Sequence, residues 1–331
     1  MSTASINPSF THALNGIATT IFDDHSSPLD LRNACHSLLK TLDAIHSIDE
    51  NREVLSPDLL LQNGKAVNAI SALHCLIDYT RTSSFIRGTF KAIKDQQQIK
   101  PGKKIHVCYA GTGPYAPLIL PSILLFSPEE VEFTLLEIIP ETFHLLQKSV
   151  EVLGISPWIK QSLMVDGTQF QFEEEDRPDI ILSETMQLAL RNEMQVPLTI
   201  NLCPQLAKNG VFIPQNINVS LGKLDRQSNS IINKVELINF STKNGKCPND
   251  QFEILKIQLS HFAPNEPLQE SLYFFTEIQV FENEKLSLQQ SGLTMPLLAF
   301  NPQKYNPCPS HLKIQYKITD VPGFYVSPIY D

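Results

Sequence analysis

Between residues 103 and 222, short apolar runs alternate with segments of helical character. The runs are Ile105 to Ala110, Phe133 to Leu136, Leu163 to Val165, Ile180 to Leu182 and Val211 to Ile213. This alternation favours a parallel sheet, because parallel strands need crossover connections that cover both faces of the sheet. An α/β fold is therefore expected for the middle of the chain.

The segments on either side follow other periods. From about residue 28 to 95, apolar residues recur three and four apart, which predicts helices that begin near Ser27-Pro28, break at Asn63-Gly64 and resume from Val67. After about residue 215, apolar and polar residues alternate, as in an antiparallel sandwich or barrel. We expect an N-terminal helical segment over residues 1–100, the α/β domain over 101–215 and a β-rich domain over 216–331.

Charge and composition narrow the classes of partner. The 331 residues carry 26 Lys and Arg against 35 Asp and Glu, a net charge of −9. This balance disfavours binding to nucleic acids and to anionic membrane surfaces. No apolar run approaches the roughly 18 residues that cross a bilayer, and the first residues lack a basic signal region. We expect no nucleic-acid or membrane partner and a cytoplasmic location.

The cysteines and histidines carry no metal-binding pattern. The six cysteines include no Cys-x-x-Cys pair, and the nine histidines are dispersed. We expect the cysteines to be reduced thiols in packed positions, the segment Asn244-Gly245-Lys246 to be an exposed turn, and no metal site.

A strand that runs into a glycine turn marks a candidate nucleotide site. Gly111 and Gly113 follow the first apolar run, and such a turn lets the backbone approach a ligand closely. Glu137 ends the second run, as the hydroxyl pair of a ribose would require, and Asp166 with Gly167 ends the third. The glycines alone also fit a dinucleotide site, because Ala116 stands three positions after Gly113.

Two carboxylates follow the fourth apolar run. Glu184 lies in Ser183-Glu184-Thr185-Met186, at the end of a predicted buried strand, and Glu193 stands nine positions later. A pair of this kind suggests a clamp for a cationic group. The alternative is a purely structural role, in which Glu184 caps a helix and Glu193 lies on a solvated helix face.

Taken together, the glycine turn and the downstream acids resemble the class I S-adenosylmethionine-dependent methyltransferases rather than a dinucleotide enzyme. The segment Glu184 to Met194 resembles the double-glutamate loop of the protein arginine methyltransferases, and Asp78 to Phe85 resembles their Asp-x-x-Arg-Thr-x-x-Tyr element. The resemblance covers roughly residues 78 to 331. It implies a Rossmann-like methyltransferase sheet, S-adenosylmethionine as cofactor, a small-molecule or arginine-containing substrate and a homodimer.

The resemblance also implies roles for single residues. Arg81 would pair with the carboxylate of the cofactor, Tyr109 and the two turn glycines would border it, Glu137 would hold the ribose, and Asp166 with Gly167 would border the adenine. Glu184 and Glu193 would be catalytic, binding a guanidinium group from two sides.

The chain departs from the family pattern at several positions. Tyr109 replaces an acid, Tyr115 a glycine and Phe85 a tyrosine, and the Thr-His-Trp loop has no counterpart. Two alternatives therefore stand beside an arginine-type acceptor. One is a methyltransferase that acts on an amine or hydroxyl of a small molecule. The other is a non-catalytic interaction subunit in which Tyr109 and Tyr115 fill the cofactor turn.

Overall fold

The computed structural model describes residues 7–46, 57–243, 246–264 and 266–330. Its helices are α1 (Pro8–Phe22), α2 (Pro28–His46), α3 (Ala69–His74), α4 (Tyr79–Ile99), α5 (Leu120–Ile123), α6 (Pro140–Leu153) and α7 (Gln195–Leu202). Within these ranges, no helix is both long and apolar enough to cross a membrane.

The strands fall into a short N-terminal pair, a central group and a C-terminal group. They are β1 (Leu59–Leu61), β2 (Gly64–Ala66), β3 (Ile105–Ala110), β4 (Val131–Glu137), β5 (Ile159–Met164), β6 (Ile180–Ser183), β7 (Val211–Ile213), β8 (Asn216–Asp225), β9 (Ser230–Ser241), β10 (Leu255–Gln258), β11 (Leu272–Phe281), β12 (Glu284–Leu286), β13 (Leu297–Phe300), β14 (His311–Lys317) and β15 (Gly323–Ile329).

Strands β3 to β7 form a parallel sheet in the order β5-β4-β3-β6-β7, which confirms the predicted α/β, Rossmann-like class. Within this sheet, β3 is the first strand in the sequence and lies in the centre. The chain then moves outward through β4 and β5 and returns to the other side of β3 as β6 and β7. The winding therefore reverses between β3 and β6. Ligands of open α/β sheets bind outside the carboxyl ends of the strands at such a reversal.

Burial on both faces explains the continuous apolar sequence of the central strands. Every residue of β3 is buried. Val107 and Tyr109 pack in one hydrophobic cluster, whereas Cys108 and Ala110 pack in another. Successive side chains of a strand point to opposite faces, so the two clusters lie on opposite sides of the sheet.

The C-terminal part is antiparallel, as the alternating pattern predicts. β8, β9, β11 and β12 form one sheet in the order β12-β11-β8-β9, to which β13 adds by pairing with β11, and β10, β14 and β15 form another. Asp78, which caps α4, accepts hydrogen bonds from Ser291 Oγ at 2.6 Å and from the Gly292 N–H at 2.8 Å. These bonds join the antiparallel part to the helix that carries Arg81.

The N-terminal third is less helical than its periodicity predicts. Strands β1 and β2 pair as an antiparallel hairpin, so the predicted break at Asn63-Gly64 falls where the turn residues Gln62 and Asn63 lead into β2. The prediction of a helix from Val67 is wrong at its start. The helix begins at Ala69, because the side chain of Asn68 accepts the N–H of Ser71 at 3.0 Å and caps it.

The expectation that all cysteines are reduced is also wrong. Cys203 and Cys247 form a disulfide with their Cα atoms 5.6 Å apart, and 44 positions separate them in the sequence. The fold places the segment after β9 against the end of α7, a proximity that residue spacing does not reveal. Asn244 and Gly245, the core of the predicted exposed turn, lie outside the described residues.

Candidate active site

The glycine turn after β3 forms one wall of a cleft. Gly111 and Gly113 have φ values of +76° and +61°, which side chains other than glycine rarely adopt. A Cβ on Gly111 would clash with the side chain of Thr185, and one on Gly113 would lie 3.2 Å from the Cβ of Ala72. Both glycines line the cleft, so its wall here is bare main chain.

Tyr109 and Tyr115 flank this turn. Both are buried and line the cleft. Burial raises the pKa of each hydroxyl, so both stay neutral near pH 7. The two side chains form part of the wall of a cleft whose empty volume, counted out to the open solvent, is about 1040 Å³.

Glu137 is held by the main chain at the end of β4. Its Oε1 accepts the N–H groups of Ile138 and Ile139 at 2.8 and 3.0 Å, and its Oε2 accepts the N–H of Gly113 at 3.0 Å. Burial raises the pKa of Glu137, and these three hydrogen bonds oppose that rise. A carboxylate can accept about four hydrogen bonds, which leaves capacity for a ligand hydroxyl.

Asp166 and Gly167 occupy different positions relative to the cleft. Gly167 lines it, whereas Asp166 is absent from its described lining. The Oδ1 of Asp166 accepts hydrogen bonds from the N–H and Oγ1 of Thr168 at 2.8 and 2.7 Å, and Oδ2 accepts one from Gln169 at 3.1 Å. The side chain thus fixes its own turn, and its role towards an adenine stays a prediction.

Arg81 and Glu184 form a buried ion pair across the cleft. Arg81 lies in the first turn of α4, where Asp78 accepts its N–H at 3.1 Å, and Glu184 follows β6 directly. The guanidinium Nη2 of Arg81 donates to Oε2 of Glu184, and the two side chains are 14% and 6% exposed. Oε1 of Glu184 is buried and has no hydrogen-bond partner among the described residues.

Glu193 lies before α7 in the same cleft. Gln187 makes a side-chain hydrogen bond with it, and Oε1 of Gln187 accepts the amide of Asn192 at 2.9 Å. Because that bond fixes the Gln187 amide, its NH₂ group is the one that faces Glu193. Desolvation raises the pKa of Glu193. Neither glutamate therefore fits the alternative of a helix cap and a solvated helix face.

The β1–β2 hairpin contributes a residue that sequence reasoning missed. The N–H of Lys65 donates to the carbonyl of Asn192 at 2.9 Å, and Lys65 lines the cleft. Its Nζ lies 2.6 Å from Oδ2 of Asp58. The Asn-Gly dipeptide at Asn63-Gly64 is a hairpin signal, and that interpretation would have placed Lys65 on a strand.

One cleft thus brings together residues that are distant in the sequence. Its described lining runs from residue 65 to 198 and includes eight of the nine predicted functional residues, namely Arg81, Tyr109, Gly111, Gly113, Glu137, Gly167, Glu184 and Glu193. The ninth, Asp166, lies outside this lining. The cleft sits where β3 and β6 end, at the reversal of the sheet.

The fold has a known relative among solved structures. A crystal structure of protein arginine methyltransferase 10 from Arabidopsis thaliana matches with a TM-score of 0.52 and 10% sequence identity, and the match covers 78% of this chain and 93% of that chain. The chain has an arginine methyltransferase-like fold. No protein-family model and no curated protein matches the sequence. At this identity the arginine methyltransferase-like fold is what the comparison establishes.

Proposed function

We propose that this chain is an S-adenosylmethionine-dependent N-methyltransferase that acts on a guanidino group or a related cationic nitrogen. In this proposal the cleft has a cofactor side, formed by Gly111, Gly113 and Glu137, and an acceptor side, formed by Glu184 and Glu193. Arg81 would serve both sides, a role supported by its ion pair with Glu184 and its presence in the lining of the cleft.

The free oxygen of Glu184 is the observation that carries the proposal. A buried carboxylate oxygen without a hydrogen-bond partner costs stability, about 1–3 kcal/mol or more for a charged group. A buried polar atom without a partner calls for an explanation, and a catalytic role or a bound ion is one of those that native proteins show. Glu184 and Glu193 line the same cleft, so a cation with several N–H donors suits the acceptor side.

The residues of the cofactor side fit S-adenosylmethionine. The bare turn at Gly111 and Gly113 admits a ligand, and Glu137 retains capacity for a ribose hydroxyl. The Arg81 guanidinium has five N–H donors, so it can bind Glu184 and the carboxylate of a ligand together. When bound, the cofactor supplies an electrophilic methyl group on a sulfonium.

The glutamates would prepare the acceptor nitrogen. Two carboxylates beside a guanidinium concentrate its positive charge on the nitrogens that face them, which leaves another nitrogen more nucleophilic. Each close pair is worth about 4 kcal/mol at an effective dielectric near 20, before desolvation is subtracted. The raised pKa of Glu193 suits a carboxylate that accepts the proton which the nitrogen loses on methylation.

Cofactor binding and turnover test this proposal separately. Calorimetric titration with S-adenosylmethionine measures binding, and methyl-labelled cofactor with a panel of guanidino compounds, amines and an arginine-rich peptide finds the acceptor. Turnover of that acceptor is expected to fall about 100-fold or more in Glu184→Gln and in Glu193→Gln. Glu236→Gln, an exposed change on β9, is the control.

Three results would contradict the proposal. Turnover within about threefold of wild type in both variants, a difference below roughly 1 kcal/mol, would remove the glutamate clamp. A labelled product on a hydroxyl group would change the acceptor class. An absence of heat with the cofactor would instead favour the non-catalytic interaction subunit.

A further inference from the structure

The acceptor side of the cleft is closed by the β1–β2 hairpin. The main chain of Gly64 approaches so closely that a Cβ there would lie 3.1 Å from the carbonyl carbon of Glu193. The hydrogen bond from Lys65 to Asn192 fixes this contact. Residues 65 to 67 therefore form a wall directly beside Glu193, and they line the same cleft.

This wall carries the ammonium group of Lys65, which is paired with Asp58. Lys65 and Arg81 are the two basic side chains in the described lining of the cleft. Arg81 already binds Glu184, and in the proposed function it also receives the carboxylate of the cofactor. Lys65 remains for an anionic group of the acceptor, and it lies close enough to Glu193 to act on the charge of that carboxylate.

Asp58 positions the ammonium group of Lys65. Its Oδ2 accepts from Lys65 Nζ, and its Oδ1 accepts the N–H and the Nδ2 of Asn68 at 3.0 and 3.1 Å. Burial works against ionisation of Asp58, but the hydrogen bonds from Lys65 and Asn68 prevail and lower its pKa. An ammonium group has three N–H donors, so Lys65 keeps donors for a second carboxylate.

We propose that the acceptor is a small compound that carries both the cationic nitrogen and a carboxylate, as free arginine does, and that Lys65 binds this carboxylate. This inference rests on the proposed function and names its substrate class. A residue inside a peptide lacks a free α-carboxylate, because that group is part of an amide bond. Lys65 would then select free amino acids over peptide side chains.

Matched pairs of ligands test this inference on the full chain in the presence of S-adenosylmethionine. Arginine and agmatine differ by one carboxylate, as do lysine and cadaverine, so the two pairs cover guanidino and amino acceptors. We expect wild-type protein to bind the carboxylate-bearing member of one pair about tenfold more tightly in calorimetry. Lys65→Met is expected to abolish that preference, and Lys65→Arg to retain it.

Lys256→Met, an exposed change on β10, is the control and is expected to behave as wild type. The inference is overturned by equal binding within both pairs in wild type, by a preference that survives in Lys65→Met, by tighter binding of an acetylated, amidated arginine peptide, or by binding of none of these ligands. The inference is also overturned if Lys65→Met weakens the binding of S-adenosylmethionine, because Lys65 would then bind the cofactor and not the acceptor. Failure of the proposed function is distinguishable from failure of this inference. It appears as an absence of binding heat when S-adenosylmethionine is titrated, or as wild-type turnover in Glu184→Gln.

Discussion

The cofactor side and the acceptor side of the cleft hold their carboxylates in different ways. Glu137 accepts three main-chain N–H groups from residues next to its own strand end. Glu184 and Glu193 depend on the side chains of Arg81 and Gln187. Main-chain donors stay in place with or without a ligand, whereas side chains can exchange partners. The cofactor side is therefore preformed, and the acceptor side is set by a few charged and amide groups.

Removal of Arg81 is expected to give the largest effect on stability. Arg81→Met leaves Glu184 buried without its cation, which costs about 3–5 kcal/mol of unfolding free energy. The double variant Arg81→Met/Glu184→Met should recover most of this loss. Lys234→Met, which breaks the exposed pair with Glu277, should cost less than about 1 kcal/mol. Urea unfolding measures the stability of all three variants. Equal losses in Arg81→Met and Lys234→Met would show that the pair of Arg81 and Glu184 is not effectively buried.

A change at Gly111 connects the two sides, because a Cβ added there would clash with the side chain of Thr185. Gly111→Ala and Gly102→Ala both place alanine at positive φ, at a cost of about 1–2 kcal/mol each. Gly102 has no atom within 4 Å of the added Cβ. We expect Gly111→Ala to cost about 1–3 kcal/mol more than this control, measured by thermal unfolding. Equal costs would mean that the acceptor loop moves aside freely.

Loss of the Gln187 amide should change the pH dependence of turnover. Glu193 must be ionised to hold a cation, so turnover rises with pH through its pKa, which burial places above the ordinary value of 4.5. The hydrogen bond from Gln187 lowers that pKa, so Gln187→Ala raises it and moves the acid limb to higher pH. We expect about tenfold slower turnover at the acid end, with little change on the plateau. Gln279→Ala on β11 is the control, and an unmoved limb would show that Gln187 does not position Glu193.

The smallest effect is expected at Asp166. Asp166→Asn keeps an oxygen for the turn at Thr168, and the side chain is outside the described lining of the cleft. We expect the affinity for S-adenosylmethionine to stay within about threefold of wild type in calorimetry, a difference under about 1 kcal/mol. A tenfold loss would restore the adenine role that the family resemblance implies, and would show that the cofactor side uses a side chain from the third strand.

Local sequence patterns predicted the parallel sheet better than the N-terminal third. The run Ile105 to Ala110 is the whole of β3 because burial on both faces demands apolar residues throughout. Strands β1 and β2 have three residues each and sit in a region of helical period. Their pairing with the segment at Asn192 is a long-range contact, which no local pattern contains.

The residues of the site also divide into those that local sequence patterns could place and those that depend on long-range contacts. Glu184 could be placed because strand ends of a parallel sheet gather at one edge, and the resemblance added Arg81. Lys65 and Gln187 could not be placed, since their roles come from a hairpin and from a loop folded back on itself. The pairing of Cys203 with Cys247 likewise depends on tertiary proximity and not on spacing.

None of the described residues that line the cleft comes from beyond position 198. The antiparallel sheets thus support the layer that holds the cleft, through Asp78 and the disulfide, without lining the cleft themselves. Natural variants could remodel the outer face of these sheets and acquire new binding partners while keeping the cleft unchanged. Chains that share residues 58 to 198 are therefore expected to share chemistry even where their C-terminal sequences have diverged.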